Sequence, residues 1–408
     1  MRSFPYRTVF SSLALLYLLA YFCRVSLPVI ASELASELGL SGAQLGTVSS
    51  ALFLCFALAQ VPVGLALDRL GPRALLPVLA LVGAGGSLLF ALADCFEALV
   101  LARGLQGLGT AAVLMGALKV YAARFPPSRF ATLSGLQVSI GNLGNLLATA
   151  PLAWAATAFG WRPAFLLVAL LTLAAGVLVW RILPPEAPSQ GRDAAGPMLA
   201  GLKELGASAE FRRLALLAFF WYGSYMAVQG LWGGPLLMQG MGLERQTCGL
   251  LLSLTATGFI LGCPLWGSLS DRLSVSRRSL LLSGQLGLAG CVLFLAALAP
   301  RLAVPVLYPL FFFLGFFVSS GPLLYGEAKD LAGARRSATA MASLNFFVMI
   351  GAALTQQCMG VLVDALGGAG RIEALQWAFV LPACGLLVAC FLCRSAPRTR
   401  KSFEEVSP

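Results

Sequence analysis

The sequence predicts an all-α integral membrane protein: twelve transmembrane helices arranged as two pseudo-symmetric six-helix halves. Three observations carry this reading, namely composition, the length of the apolar runs, and the placement of charge between them. Of the 408 residues, 59% are hydrophobic and 11% are charged. A soluble protein carries about a quarter charged residues, so a water-facing multidomain enzyme is excluded. Disorder is excluded too, because disordered chains are poor in apolar residues. In lipid only helices and closed barrels satisfy every backbone group. Barrel strands alternate apolar and polar residues, whereas the runs 74–93, 164–180 and 279–299 are continuous and about twice a barrel strand in length. Runs of that size suit helices crossing a hydrocarbon core of ~30 Å.

Along the chain the spans fall at 9–30, 46–67, 74–93, 98–120, 131–158, 164–183, 214–239, 247–270, 279–299, 302–325, 337–362 and 374–393. The first is long enough to persist as a helix, so no cleavable signal is expected. Residues 184–213 form the longest break and read as a cytoplasmic linker, with a short polar helical stretch around 203–210. The chain thus divides into an N-terminal six-helix bundle (1–183), the linker (184–213), a C-terminal six-helix bundle (214–393) and a cytoplasmic tail (394–408). The ten cysteines sit mostly singly inside apolar runs, the pair Cys390 and Cys393 has no second pair, and histidine is lacking. They read as small buried hydrophobes, with no metal and no cofactor expected.

Charge orients the spans. When Lys and Arg are assigned alternately to the two sides, 22 fall on the side of the termini and four on the other, leaving Arg24 and Arg103 inside spans. The positive-inside rule then puts both termini in the cytoplasm of a multi-pass plasma-membrane protein, in a bacterium the inner membrane. The basic residues are spread over many short loops, so the net charge of +11 marks topology and no nucleic-acid partner is expected. Membrane lipid and a small solute are the expected partners.

The halves repeat. Gly64-Leu-Ala-Leu-Asp68-Arg69 after span 2 matches Gly267-Ser-Leu-Ser-Asp271-Arg272 after span 8 at an offset of 203, and Arg129-Phe-Ala-Thr132 pairs with Arg336-Ser-Ala-Thr339 at 207. Duplicated halves with a site between them are the architecture of many secondary transporters. Gly64-x-x-x-Asp68-Arg69-x-Gly71-x-Arg73, its copy at Gly267, Asp271 and Arg272, and Arg103-Gly-Leu-Gln106-Gly107 on span 4 resemble motifs of the major facilitator superfamily. That resemblance covers the whole chain. It implies the MFS fold, alternating access, no enzymatic activity, and a gating role for the Gly64–Arg73 loop and its copy. On physical grounds Gly64 would allow close helix packing, and Asp68 would pair with loop arginines or cap a neighbouring helix. The plainer reading is a loop anchored by basic residues. One chain contains both halves, so a monomer is expected.

Charges within spans cost about 2.5–3.5 kcal/mol each on insertion scales and mark function by default. Arg24 lies six residues before the predicted outer end of span 1, and Arg103 about five into span 4, depths of roughly 8–9 Å at the helical rise. The resemblance implies that both spans line the central cavity. Tyr17, Tyr21 and Arg24 share one helical face, as do Arg103, Gln106 and Thr110 on span 4, and Trp221, Tyr225 and Gln229 on span 7, with Tyr222 and Trp232 nearby. Gln137, Asn142 and Asn145 on span 5, and Gln60, Asn345, Gln356 and Gln357 on spans 2 and 11, add neutral hydrogen-bonding groups. Each has a bland alternative: Arg103 bonding helix carbonyls, Arg24 snorkelling to headgroups, the aromatics and amides packing helices.

All 17 acidic residues fall in loops or near span ends, with Glu327 the fallback proton site. A carrier of organic cations needs a buried acid, so the favoured reading is a small organic anion moved by alternating access. The alternative is efflux of a neutral or lipophilic compound. A membrane-embedded enzyme would need a clustered acid, histidine or nucleophile constellation, which the sequence does not show.

Overall fold

The structure is a computed structural model and describes residues 6–126, 129–184, 205–272 and 276–394. Regular structure among these residues is helical throughout. Span 1 is α1 (Tyr6–Val25), continued past Ser26 by α2 (Leu27–Leu38). Spans 2 and 3 form one run, α3 (Gly42–Leu92), broken where Gly71 takes φ 75°. Span 4 comprises α4 (Phe96–Thr110) and α5 (Val113–Arg124), span 5 comprises α6 (Phe130–Leu147) and α7 (Ala150–Phe159), and span 6 is α8 (Arg162–Ile182). Span 7 is α9 (Ala209–Gly240), which loosens into π-helical turns at Ala227–Trp232 and Leu236–Gly240. Then follow α10 (Arg245–Arg272), α11 (Arg277–Leu298), α12 (Val304–Val318), α13 (Leu323–Ala365, broken at Gly333) and α14 (Ile372–Arg394).

Among the described residues, ten helical stretches are long and apolar enough to cross a membrane. One of them, α3, holds two spans, and span 5 is divided at Ala148 and Thr149, which together give the twelve expected spans. Large apolar side chains point outward along the bundles, Leu58 at 61% and Phe391 at 68% exposure among them. Such a surface suits lipid and not water.

The residues fall into two compact units. One holds the chain up to Leu40, Thr47 through span 6, and Glu244–Leu250; the other holds Ser41–Gly46, Leu205–Leu243 and the described residues from Leu251 onward. Within the first, α1 packs chiefly against α6 and α8; within the second, α9 packs chiefly against α13 and α14. The same pair of neighbours, spans 5 and 6 or spans 11 and 12, thus recurs. The crossings recur at closely similar positions. A Cβ on Gly144 would collide with the Leu18 carbonyl, and one on Gly351 with the Phe219 carbonyl. Likewise Gly107 abuts the Leu52 carbonyl and Gly315 the Thr255 carbonyl. Gly144 and Gly351 stand 207 apart and Leu52 and Thr255 203, the offsets of the sequence motifs, while Leu18 and Phe219 stand 201 apart and Gly107 and Gly315 208. Small residues let membrane helices approach until backbone touches backbone, which is where their packing energy comes from.

Several boundaries shift. Span 1 runs on to Leu38 instead of ending at residue 30, so Glu33 and Glu37 lie within α2. Residues 185–204 of the linker lie outside the described residues. The polar stretch around 203–210 leads into span 7, because the Ser208 side chain accepts from the Phe211 N–H and caps α9. Cys23, Cys248, Cys390 and Cys393 are buried as expected, but Cys95, Cys358 and Cys384 are exposed. A thiol is apolar enough to face lipid as readily as a core.

Candidate functional site

In the first unit the two in-span arginines sit at neighbouring positions in different settings, Arg103 bonding the carbonyl of the residue beside Arg24. Arg24 ends α1, 6% exposed, with its guanidinium carbon 4.8 Å from the Tyr21 ring and 4.4 Å from the Phe56 ring. This is cation–π geometry on both faces. One turn earlier the Tyr17 hydroxyl donates to the Tyr21 hydroxyl at 3.0 Å, with the rings 4.7 Å apart. Tyr17 can lie there because Gly141 on α6 offers no Cβ to its ring. The predicted face of Tyr17, Tyr21 and Arg24 is therefore assembled, and span 2 adds Phe56. No sequence signal distinguished Phe56 from the apolar residues around it.

Arg103 is wholly buried. Its Nη1 donates to the Cys23 carbonyl at 2.6 Å and to Gln106 Oε1 at 3.0 Å, while Gln106 Nε2 donates to Ser87 Oγ at 3.3 Å. Its Nε and Nη2 find no hydrogen-bond partner among the described residues. Arg103 thus binds the backbone of the residue beside Arg24, which favours the carbonyl-bonding alternative. Thr110 turns back onto its own helix, to the Gln106 carbonyl. Next to this network, Cys23, Ser87, Gln106, Thr110 and Thr172 line a cavity of about 20 Å³, which seats roughly one water and no organic solute.

The remaining amides mostly hold helices together. Gln137 accepts from the Tyr121 hydroxyl at 2.7 Å and donates to the Leu13 carbonyl at 3.0 Å; Gln60 donates to the Ala111 carbonyl. Asn142 donates within its own turn, to Val138, and accepts from Asn145. In the second unit Trp221 donates to the Val318 carbonyl and Trp232 to that of Gln356, both as packing bonds. Gln229, also fully buried, donates to the Leu252 carbonyl, and its Oε1 has no partner among the described residues. Tyr225 stacks on Phe259, and Tyr222 lies 5.8 Å from Tyr225 by ring centroid. Asn345 accepts from the Tyr325 hydroxyl at 3.0 Å. The expected aromatic wall of span 7 is in this structure largely helix packing; what singles the segment out is its π-helical backbone at Ala227–Trp232, a geometry frequent at functional sites.

At the motif loop, Asp68 pairs with Lys119 of α5 at 2.9 Å, and Lys119 also donates to the Leu67 carbonyl. The sequence did not single out this lysine of span 4, which reaches the end of span 2. Gly71 is needed for its positive φ, which lets the chain reverse between spans 2 and 3. Arg69 and Arg73 flank that reversal. Gly64 and Gly267 do not serve close packing: a Cβ on either would meet nothing within 4 Å. Asp271 and Arg272 end α10, but their side chains lie outside the described residues.

The sequence profile of the Major Facilitator Superfamily matches residues 13–356 and 214–407. The probable sulfoacetate transporter SauU of Cupriavidus necator is 26% identical over 376 residues, 87% of this chain and 86% of that protein. The hexuronate transporter of Bacillus subtilis is 25% identical, over 85% of each chain. Among solved structures, a bacterial homologue of the human lysosomal transporter Spinster superposes with a TM-score of 0.79 at 19% identity, covering 96% of this chain and 97% of that one. With twelve helices, a repeated set of helix crossings and a profile match running nearly end to end, the chain belongs to the Major Facilitator Superfamily and is a membrane transporter of small solutes, not an enzyme.

Proposed function

We propose that the protein carries a small organic anion by alternating access and that Arg24 is the group that contacts it. The observation behind this is the setting of Arg24, a nearly buried guanidinium held between the Tyr21 and Phe56 rings beside the Tyr17–Tyr21 hydroxyl pair. A planar fork of donors suits a carboxylate or sulfonate, and aromatic walls fix its plane. Arg103, committed to the Cys23 carbonyl and Gln106, is assigned to positioning span 1. Sulfoacetate and hexuronates, for which two relatives are named, are small carboxylate-bearing anions, and this supports the reading. Tyr222, Tyr225 and Gln229 are proposed as further substrate-contacting candidates, and the Asp68 loop and its copy as the gate. The charge asymmetry supports cytoplasmic termini in a bacterial inner membrane, and the six-plus-six division supports a monomer with one site.

Thermal unfolding of purified protein with sulfoacetate, glucuronate, a neutral sugar and a cationic dye tests this. A ligand at 100 times its Kd adds about 2.7 kcal/mol of stability. The anions are expected to stabilise the wild type, and Arg24→Ala is expected to abolish the shift. Equal stabilisation of wild type and Arg24→Ala by neutral or cationic compounds would overturn the anion reading in favour of efflux.

A further inference from the structure

Two residues of the first unit fit each other by size. Gly141 of α6 faces the Tyr17 ring of α1, and the three atoms nearest to a Cβ at Gly141 would all belong to that ring. Such a Cβ would come within 2.7 Å of Cδ1 and nearer still to Cε1.

The helix crossing itself does not require this glycine. Its close approach of backbone to backbone is at Gly144, and the second unit repeats that contact at Gly351. Three residues earlier the second unit carries Val348 where the first carries Gly141, again at an offset of 207. The facing helix answers in reverse. Counted from the paired contacts Leu18 and Phe219, Ala218 stands where Tyr17 does. Val348 is 2% exposed and Ala218 wholly buried. The first unit thus has its large residue on span 1 and its small one on span 5, and the second unit has the opposite. Glycine inside a helix is less stable than alanine, so its presence at 141 is accounted for by the ring it admits.

What this seat secures is a hydroxyl contact. Tyr17 is buried, and a buried phenol O–H needs an acceptor, which it finds in the Tyr21 oxygen at 3.0 Å. Tyr21 is only partly buried, and its ring covers one face of the Arg24 guanidinium. The accepted hydrogen bond ties the Tyr21 ring in place and polarises its own O–H as a donor. Carbon atoms in contact sit about 3.5–4.0 Å apart, so a Cβ at 141 must push the Tyr17 ring by about 1 Å. A shift of that size is enough to break the hydroxyl contact.

We propose that Gly141 is a positioning residue of the solute site. By seating Tyr17 it fixes the Tyr21 ring over Arg24, and it thereby sets the affinity for an anion that it does not touch, a last step that rests on the anion reading of Arg24.

NMR of the full-length, ligand-free protein in phospholipid nanodiscs, isotopically labelled at tyrosine Cζ, reads the first step. The Tyr21 resonance is assigned by its loss in Tyr21→Phe. It is expected to move in Gly141→Ala, and also in Tyr17→Phe, which removes the hydroxyl and keeps the ring. Isothermal titration with sulfoacetate and with glucuronate reads the second step. Gly141→Ala is expected to weaken binding about three- to tenfold, the worth of one hydrogen bond. In a Tyr17→Ala background the same substitution should cost nothing more, because the added methyl meets no ring. A Tyr21 resonance unmoved in Gly141→Ala would overturn the proposal. So would wild-type affinity in that variant, or losses that multiply in the double variant, the mark of a packing effect elsewhere in the helix. Should Tyr17→Ala not fold, Tyr17→Phe takes its place in the cycle, since the hydroxyl contact is then already absent. If the wild type binds neither anion while the Tyr21 resonance still moves, the anion reading of Arg24 fails and the positioning of Tyr21 by Gly141 stands.

Discussion

Arg24 and Arg103 are equally costly to place in a membrane and yet have opposite assignments, which separate through two readouts. Replacing Arg103 takes the donor from the Cys23 carbonyl and Gln106 Oε1 in a buried setting, so Arg103→Ala should lower unfolding stability by about 1–3 kcal/mol. Arg24 sits between two aromatic faces, and Arg24→Ala should lose the anion-induced shift. Thermal unfolding with and without glucuronate reads both quantities; a destabilised Arg24→Ala with normal binding would exchange the two roles. Both arginines were visible in the sequence because a lone charge in an apolar run is conspicuous. Their division of labour was not, since it turns on which carbonyl a guanidinium reaches across helices and on Phe56, an apolar residue among apolar residues.

Among the helices, glycine carries two unlike jobs that share one letter. Gly144 sits where span 5 touches the backbone of span 1, and any Cβ there must force the helices apart. Gly144→Ala should therefore destabilise the first unit by about 1–3 kcal/mol, the usual cost of overpacking. Gly64→Ala meets open space and, inside α3, should be neutral or stabilising by up to about 1 kcal/mol from helix propensity alone. Chemical denaturation of the two variants decides this, and a Gly144→Ala variant as stable as Gly64→Ala would contradict the crossing geometry. The sequence made Gly64 look like the packing glycine because it belongs to a motif. The packing glycines Gly144 and Gly351 become recognisable only once spans 1 and 5, and 7 and 11, are seen side by side. Breaks inside spans were equally hidden: the division at Ala148 and Thr149 and the π-helical turn at Ala227 follow from how neighbours pack, and hydropathy averages over both.

For the whole molecule, 22 basic residues on one set of loops against four on the other predict a single orientation in the membrane. In a cysteine-free background, Ser402→Cys should react with a membrane-impermeant maleimide in inside-out vesicles and stay unlabelled in right-side-out ones; the reverse would invert the topology. Composition, the lengths of the apolar runs and the alternating loop charge were enough to predict a twelve-helix membrane protein, because a bilayer permits so few backbone solutions that hydropathy and charge nearly exhaust the choice, and the resemblance of its repeated motifs to a known family added transport. Tertiary structure alone decided which polar groups are spent on helix–helix bonds, Arg103, Gln137 and Gln60 among them. It also decided that Lys119 answers Asp68, and that the starts of spans 2 and 8 are held by Asp364 and Glu33. Those outcomes depend on contacts between residues as far apart in sequence as Gly42 and Asp364. A contact over such a separation leaves no period or spacing in a single sequence from which it can be read.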